Sequence, residues 1–329
     1  MLPTAGLERL QAMNITVILC TFNRCRMLAG ALESLAAQVL PESIQWEVLV
    51  VDNNSNDDTH AVVEHFGSRY QGRFRYLFEP QPGKSYALNS GIREARGEIL
   101  AFLDDDVTAD PAWLQTLASG LSGNDWAGAG GRILADQRVP FPRWFPPDEP
   151  LLLRTLALFS HGPEPGPLTD PPLGTNMAFR KEAFERYGLF RTDLGPCPGS
   201  EMRGEDTEFG ERVLREGGRL RYEPAAVVFH PVSEHRLNKR YFLIWWFDKG
   251  RSEIRQFGLP SGDGGHLAGV PLVLFRRLVR WTAHWLVALE PSKRFSHRLK
   301  VWTVAGQIVE AYRQSHAKEY NKMGKQSAL

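Results

Sequence analysis

The sequence predicts an α/β fold: a Rossmann-like, mostly parallel sheet with helices on both faces, followed by a C-terminal helical extension. Short apolar runs alternate with segments whose apolar residues recur at helical spacing, and polar loops follow the apolar runs. Basic segments rich in tryptophan follow residue 235. Buried strands that alternate with helices are typical of a parallel sheet covered on both faces. We therefore expect two regions, residues 1–235 and 236–329.

Four apolar runs in the first third of the chain are predicted strands, because each is short and ends in polar residues. They are Ile15–Cys20, Trp46–Val51, Phe74–Phe78 and Ile99–Leu103. Helices are predicted between them, where apolar residues recur at helical spacing or N-cap residues open the segment. These helices are Met27–Gln38, Thr59–Phe66 and Tyr86–Arg96.

The rest of the first region is less regular. Ten prolines between Pro140 and Pro172 exclude a long helix or a central strand, and they predict a loop across the ligand-binding face. Shorter elements are predicted within and after this loop. They are a helix at Leu151–Phe159, a strand entered at Gly174–Arg180, helices at Lys181–Tyr187 and Gly204–Gly217, and a strand at Ala226–Phe229 that ends on His230.

The charge of the chain is unevenly distributed. Residues 236–329 contain 17 Lys and Arg against 6 Asp and Glu, whereas residues 1–235 contain 22 against 32. This division indicates an acidic catalytic body with a basic tail, or alternatively a solvated basic helical surface. The three cysteines have no metal-binding spacing, which favours a reducing cytoplasm. Neither a signal peptide nor a transmembrane segment of about 18 apolar residues is predicted.

Three adjacent carboxylates follow the fourth predicted strand, at Asp104, Asp105 and Asp106. Like charges this close repel one another, and a bound divalent cation such as Mg²⁺ would offset the repulsion. A solvated acidic turn is the alternative, since aspartate is common in turns. The carboxyl ends of parallel strands form the ligand-binding edge of an α/β sheet. Three polar loops should therefore meet there: Thr21–Arg24, Asp52–Asn54 and Asp104–Asp106.

In this order, these residues resemble family 2 glycosyltransferases with a GT-A fold. The matching segments are Thr21–Arg24, Val50–Ser55, Asp104–Asp106, Gly174–Asn176 and Gly204–Asp206, with His230 after them. The stretch from His230 to Gly250 is similar to enzymes of bacterial cell-surface polysaccharide biosynthesis. The resemblance implies an inverting hexosyltransferase that moves a sugar from a nucleotide-sugar donor, most often a UDP-sugar. The acceptor would be a hydroxyl of a glycan or of a lipid-linked molecule.

The resemblance also implies roles at the donor site. Asp52 would accept a hydrogen bond from the nucleotide base, although an Asp that caps the next helix is the alternative. Lys84 would meet the diphosphate, or it is an exposed loop lysine. Asp104 would bind the ribose, while Asp105 belongs to the same loop and could face the other way. The remaining donor residues would be Thr21, Phe22, Asn23, Arg24 and Asn54.

For catalysis, the resemblance implies that Asp206 is the general base that deprotonates the acceptor. Glu205 would bind the acceptor or serve as the base instead; alternatively, both acids only favour the start of a helix. The acceptor pocket would be shaped by Gly174, Thr175 and Asn176. Asp106 would bind Mg²⁺ or Mn²⁺, and His230 would complete the metal shell or play a structural part.

Two other function classes fit parts of this pattern. A sugar nucleotidyltransferase would also combine an α/β sheet, Mg²⁺ and a nucleotide, but the Thr21–Arg24 loop lacks the glycines typical of a triphosphate site. A non-catalytic nucleotide- or carbohydrate-binding protein of the same fold is the other alternative. The acidic pairs at Asp104–Asp106 and Glu205–Asp206 favour an enzyme.

The C-terminal region is predicted to form basic amphipathic helices. Within Pro271–Leu289, one helical face carries Leu274, Leu278, Trp281 and Trp285, and another carries Arg276, Arg280 and His284. A second segment, Tyr241–Phe247, is apolar and has basic flanks. Such helices can lie in an anionic membrane interface, which would place the protein at the inner face of the cell membrane. Packing against the catalytic domain is the alternative.

Overall fold

The computed structural model describes residues 13–123, 125–136, 141–142, 144–145, 150–198, 202–260 and 265–326. It confirms the α/β fold, with a nine-stranded sheet and C-terminal helices. The chain forms two compact units. The first comprises residues 1–138, 157–191 and 206–231, and the second comprises 139–156, 192–205 and 232–329. Parts of the predicted proline-rich loop, at 140, 143 and 146–149, lie outside the described residues.

One half of the sheet is parallel, in the order β3-β2-β1-β4. Its strands are β1 (Met13–Thr21), β2 (Ile44–Asp52), β3 (Phe74–Phe78) and β4 (Ile99–Asp104). The helices between them are α1 (Cys25–Ala36), α2 (Thr59–Arg69) and α3 (Lys84–Glu94). Thr21 pairs with Asp52, and Cys20 pairs with Asp104. The three strands therefore end at the same level, and their polar loops share one edge.

The other half of the sheet is mixed, and it continues from β4 in the order β8-β6-β9-β5, with β7 on β9. Its strands are β5 (Thr108–Ala109), β6 (Gly128–Ala135), β7 (Gly166–Leu168), β8 (Asn176–Arg180) and β9 (Leu220–His230). The helices here are α4 (Trp113–Gly120), α5 (Pro150–Thr155), α6 (Lys181–Tyr187) and α7 (Glu205–Arg215). Strand β8 runs antiparallel to β4 and pairs Asn176 with Leu103. The start of β8 therefore lies beside the acidic end of β4.

Aromatic packing fixes α7 in the first unit. The Phe209 ring stacks on Phe184 with a centroid distance of 4.5 Å, and it meets the edge of Phe179 at 4.9 Å. Phe209 is fully buried. Because a buried phenylalanine contributes about 1.5–3 kcal/mol through its apolar surface, this cluster anchors the helix that begins at Glu205 and Asp206.

Two predicted elements need correction. The helix predicted at Leu151–Phe159 ends at Thr155, and Phe159 instead forms a bridge with Ile133. Strand β9 begins six residues before the predicted strand at Ala226–Phe229, because a bulge accommodates Pro224. The register shifts between Gly131 and Arg132, so residues 224–226 lie opposite no β6 residue.

Strand β6 was not predicted, because its glycine run reads as a turn. A side chain at Gly131 would come within 2.0 Å of the Ala226 carbonyl oxygen, and one at Gly128 within 2.4 Å of the Phe179 ring. Glycine is required here by the close approach of neighbouring strands rather than by a turn.

The second unit contains most of the C-terminal helices. They are α8 (Lys239–Phe257), α9 (Leu272–Val287) and α10 (Pro291–Gln326), with a short hairpin of β10 (His266–Leu267) and β11 (Val270–Pro271) before α9. Helices α8 and α10 cross at glycines, since a side chain at Gly250 would lie 2.0 Å from the Thr303 carbonyl oxygen. Buried Glu310 of α10 accepts hydrogen bonds from Arg251 at 3.4 Å and Arg255 at 2.7 Å.

The apolar face predicted for α9 packs inside this unit. Leu274 is fully buried, the Trp281 ring stacks on His297 of α10, and Arg298 lies over the Trp285 ring. The face of α9 with Leu274, Trp281 and Trp285 therefore packs against α10 and is not available for membrane contact. In the described part of the chain, no helix is both long and apolar enough to cross a bilayer.

The α8–α10 crossing should be sensitive to a single added methyl group. A side chain at Gly306 would lie 2.0 Å from the Phe247 carbonyl oxygen, so G306A should lower the free energy of unfolding by about 1–3 kcal/mol. Gly30 lies within α1 with open space around it, so the control G30A should raise that free energy by about 0.5–1 kcal/mol. Urea unfolding followed by tryptophan fluorescence measures both. Equal effects of the two substitutions would contradict the close crossing.

Candidate functional site

The loop after β1 is tied to the loop after β2 by three backbone-to-side-chain hydrogen bonds. The Asn23 amide donates to Ser55 Oγ at 2.8 Å, and the Asn56 amide donates to Asn23 Oδ1 at 2.8 Å. The Cys25 amide donates to Asp57 Oδ2 at 2.9 Å. These bonds hold the two loops together at the carboxyl edge of the sheet.

Several predicted donor residues of these loops are exposed. Asn23 and Asn54 have φ angles of +53° and +68°, in the left-handed region that asparagine tolerates better than most residues. The Phe22 ring is 49% exposed. Together these loops present an aromatic ring and amide groups to solvent, beside the acidic end of β4.

Asp52, by contrast, is buried and already oriented. Its Oδ1 accepts from the Ser55 amide at 2.9 Å, and its Oδ2 accepts from the Tyr76 hydroxyl at 2.8 Å. Burial and this bond to Asp52 raise the pKa of Tyr76, so the phenol stays protonated and keeps donating. The Asp52 carboxylate is fixed in direction, and each of its oxygens retains further acceptor capacity.

Lys84 reaches the acidic loop because a buried amide shapes the turn before it. The Asn53 side chain accepts from the Gly83 amide at 2.7 Å and donates to the carbonyls of Glu79 and Gln81. Gly83 has φ +134°, a conformation that favours glycine. Lys84 Nζ then lies 2.7 Å from Asp104 Oδ1.

Two further groups act on Asp104. The Thr175 hydroxyl donates to Asp104 Oδ2 at 2.8 Å. Burial acts to raise the pKa of Asp104, but Lys84, Thr175 and the charge of His230 outweigh it and lower the pKa to about 2. Asp104 is therefore a carboxylate at neutral pH.

Asp105 turns into the protein. Its Oδ2 accepts from the Thr21 hydroxyl at 2.7 Å, and its Oδ1 accepts from Arg24 Nη1 at 3.1 Å. Burial raises the pKa of Asp105 to about 6, and Asp104 and Asp106 add to this, although Arg24 and Thr21 oppose it. Asp105 thus joins the Thr21–Arg24 loop to the acidic loop.

Asp106 and His230 come from neighbouring strand ends. Strand β5, directly after the acidic loop, pairs Thr108 with Phe229, the residue before His230. Arg24 Nη1 lies 3.4 Å from Asp106 Oδ2. Among the described residues, no three His, Cys, Asp or Glu side chains are grouped so that they could hold a metal ion by themselves. A carboxylate and an imidazole still suit a divalent cation whose other ligands are phosphate oxygens and water.

The turn before β8 binds two of the acids. The Gly174 amide donates to Asp206 Oδ2 at 2.6 Å, while the Thr175 hydroxyl donates to Asp104. The Asp206 carboxylate also accepts from the Thr207 amide at 2.7 Å through Oδ1. Two consecutive residues therefore bring Asp206 and Asp104 to one place.

Asn176, the residue after this turn, anchors it to the interior of the protein. It is fully buried, and its side chain accepts from the Trp113 indole at 2.8 Å and donates to the carbonyls of Arg132 and Ala226. These bonds use the amide internally, so Asn176 positions the turn. Glu205, the first residue of α7, is also buried.

Sequence reasoning missed the residues that orient this site rather than line it. Ser55 was cited only as the end of a matching segment and Asp57 was assigned no role, although their side-chain oxygens accept hydrogen bonds from the backbone of the neighbouring loop. Tyr76 was predicted only as part of a strand, and Trp113 was assigned no role. The one signal that could have indicated these contacts is chemical: a buried tyrosine hydroxyl or tryptophan indole N–H usually has a hydrogen-bond partner.

The chain is similar in sequence to known proteins. A family model described as "Glycosyl transferase family 2" matches residues 16–188. The chain is 29% identical over 246 residues to the succinoglycan biosynthesis protein ExoM of Rhizobium meliloti strain 1021, covering 74% of this chain and 75% of the relative. It is 25% identical to the glycosyltransferase AglE of Haloferax volcanii, covering 71% and 75%.

A solved structure shares the fold. The mannosyltransferase PcManGT from Pyrobaculum calidifontis, in complex with GDP-Man and Mn²⁺, has a TM-score of 0.59 and 19% sequence identity. The match covers 91% of this chain and 87% of that chain.

Asp105 should give the metal-free protein a pH-dependent stability. Because its pKa rises from 3.8 to about 6 on folding, the folded protein binds this proton more tightly than the unfolded chain does. The resulting stabilisation is present at low pH and is lost as the pH rises from about 4 to about 6. Relative to D105N, the free energy of unfolding of the wild type should therefore fall by about 3 kcal/mol between about pH 4 and pH 7.

Urea unfolding at a series of pH values, with a chelator present, measures this difference. The exposed Asp136 supplies the control, because D136N should keep the pH dependence of the wild type. Identical pH profiles for wild type and D105N would contradict the raised pKa.

Proposed function

Because the chain belongs to glycosyl transferase family 2, we propose that this glycosyltransferase moves a hexose from a nucleotide sugar, a UDP-sugar, to a hydroxyl group with inversion. The acceptor is a glycan or a lipid-linked molecule. One observation carries the proposal: Gly174 binds Asp206, and the next residue, Thr175, binds Asp104. These two hydrogen bonds hold both carboxylates at one turn, which supports the proposal that one is the base and the other binds the donor.

Asp206 acts as the general base. Its carboxylate takes the proton of the acceptor hydroxyl while the hydroxyl oxygen attacks the anomeric carbon. The bond from that carbon to the diphosphate oxygen breaks in the same step, and the nucleoside diphosphate leaves with the electron pair. Attack opposite the leaving group inverts the configuration. The bonds from Gly174 and Thr207 aim the carboxylate, and buried Glu205 binds the acceptor or is the alternative base.

The nucleotide binds across the loops after β1 and β2. The exposed Phe22 ring offers a surface for the base, and Asp52 accepts the imide N–H of uracil. Lys84 pairs with Asp104 in the free protein. When the nucleotide binds, the Lys84 ammonium group turns to the diphosphate and binds phosphate oxygens. Asp104, ionised at neutral pH, accepts hydrogen bonds from the ribose hydroxyls.

A divalent cation completes the site. Asp106 and His230 would hold Mg²⁺ or Mn²⁺, which when bound neutralises the negative charge that develops on the leaving diphosphate. The presence of Mn²⁺ and GDP-Man in the solved mannosyltransferase supports metal use in this fold. Arg24, close to Asp106, compensates the same carboxylate.

The biological role is assembly of surface polysaccharide. The similarity to a succinoglycan biosynthesis protein supports this role. A cytoplasmic location, with access to lipid-linked acceptors at the inner face of the membrane, is part of the same proposal. The low cysteine content supports a reducing compartment.

Substituting the proposed base should separate catalysis from binding. D206N keeps the shape of the side chain and its acceptor oxygen but loses the basic carboxylate, so turnover should fall by at least about 100-fold. The affinity for UDP, measured by calorimetry, should stay within error of the wild type. The matched control E185Q, on the exposed side of α6, should retain full turnover.

If D206N retains turnover, the base assignment is wrong. If the wild-type protein binds UDP and transfers no sugar from any nucleotide sugar, the protein is a non-catalytic binder of this fold.

Nucleotide and metal should stabilise the protein together. Ligands that bind only the folded state raise its melting temperature, so UDP with Mn²⁺ should raise it more than either alone. In D106N the gain from Mn²⁺ should disappear while a shift from UDP remains. A thermal-shift panel of nucleoside diphosphates, with and without Mn²⁺, measures both. A shift with GDP alone would retain the enzyme class and contradict the role of Asp52.

A further inference from the structure

Helix α9 has an exposed apolar row that packing in the second unit leaves uncovered. We name this the outer row; it consists of Val279, Ala283, Leu286, Val287 and Leu289. Four of these side chains are between 63% and 97% exposed, and Leu289, in the turn after α9, is the most exposed. Ala283 is exposed between them.

The outer row is distinct from the apolar face that the sequence singled out. Val279, Ala283 and Leu286 are spaced four and three residues apart, so they lie on one face of the helix. The other apolar face, with Leu274 and Trp281, packs toward α10. Large apolar side chains that are clustered and exposed mark an interaction surface, whereas isolated ones need no explanation.

A basic row runs beside the outer row. Arg276 and Arg280 are exposed, and His284 continues the same spacing of four. Residues 272–300 contain seven Lys and Arg and a single acid, Glu290. Glu290 pairs with Lys293 at 2.7 Å, which reduces its effect on the arginines. The surface around the outer row is therefore strongly cationic.

We propose that the outer row docks the protein on an anionic lipid bilayer. Leu286, Val287 and Leu289 enter the boundary between headgroups and acyl chains, while Arg276 and Arg280 bind lipid phosphates. An exposed apolar stripe flanked by arginines is the pattern of a helix that lies in a membrane interface. Since no described helix is able to span a bilayer, the contact is peripheral.

The charge of this surface disfavours the obvious competing occupant, a second copy of the chain. A two-fold contact through the outer row would bring two copies of the same patch together. The basic rows of both copies would then face one another at close range, and like charges repel. An anionic lipid surface instead complements the row along its whole length.

The test is flotation of the full-length protein with vesicles. The probes are phosphatidylcholine vesicles with and without about one-third phosphatidylglycerol. We expect binding to the anionic vesicles, weaker binding to the neutral ones, and a decrease as salt screens the arginines.

Two variants divide the apolar and the charged contributions. L286S/L289S should lower the partition coefficient on anionic vesicles about 100-fold, because each of the two buried leucines contributes about a factor of ten. R276Q/R280Q should lower it and reduce its salt dependence. The control V39S removes a valine that is 64% exposed in the first unit, and it should bind like the wild type.

Three results would overturn the proposal. They are absence of wild-type flotation with anionic vesicles, equal loss of binding in V39S, and full binding by L286S/L289S with an unchanged circular dichroism spectrum. A wild-type dimer that L286S/L289S converts to a monomer, without vesicle binding, would instead identify a second copy as the occupant. Sugar transfer is measured separately, because failure of vesicle binding leaves the assignment of Asp206 unaffected.

Discussion

The site depends on the compensation of three adjacent carboxylates at the end of one buried strand. Lys84 and Thr175 bind Asp104, whereas Thr21 and Arg24 bind Asp105. These four partners come from three different loops, so neutralising the acids also draws those loops to one edge of the sheet. The pKa shifts of the two acids have opposite directions because the partners of Asp104 outweigh the effect of burial, whereas at Asp105 burial outweighs Arg24 and Thr21.

The sequence allowed prediction of the parallel half of the sheet and of the loops that meet at its edge, because buried strands and polar strand ends leave local signals. The mixed half of the sheet was harder to predict from the sequence. Strand β6 is rich in glycine because residues distant in the sequence, such as Ala226, approach its backbone too closely for a side chain. The antiparallel direction of β8 likewise depends on its pairing with β4, which the sequence does not reveal. Because of this direction, Gly174 and Thr175 lie beside Asp206 and Asp104.

Side-chain periodicity also has a limit in the C-terminal region. Helix α9 was predicted almost to its ends, and its basic row was found. The sequence shows two apolar rows on this helix, however, and helical spacing alone does not tell which of them is covered. The face with Trp281 and Trp285 was expected either to lie in a membrane interface or to pack against the catalytic domain. It packs against α10, which supplies rings and cations that match it.

The hydrogen bonds between the loops after β1 and β2 have a consequence for the thermodynamics of ligand capture. Ordering a flexible loop on binding costs conformational entropy that is subtracted from the affinity. Asn23, Ser55 and Asp57 have already fixed these loops in the free protein. A nucleotide that binds there, as proposed, would therefore meet a preformed surface, and little of its binding free energy would be lost to ordering these loops.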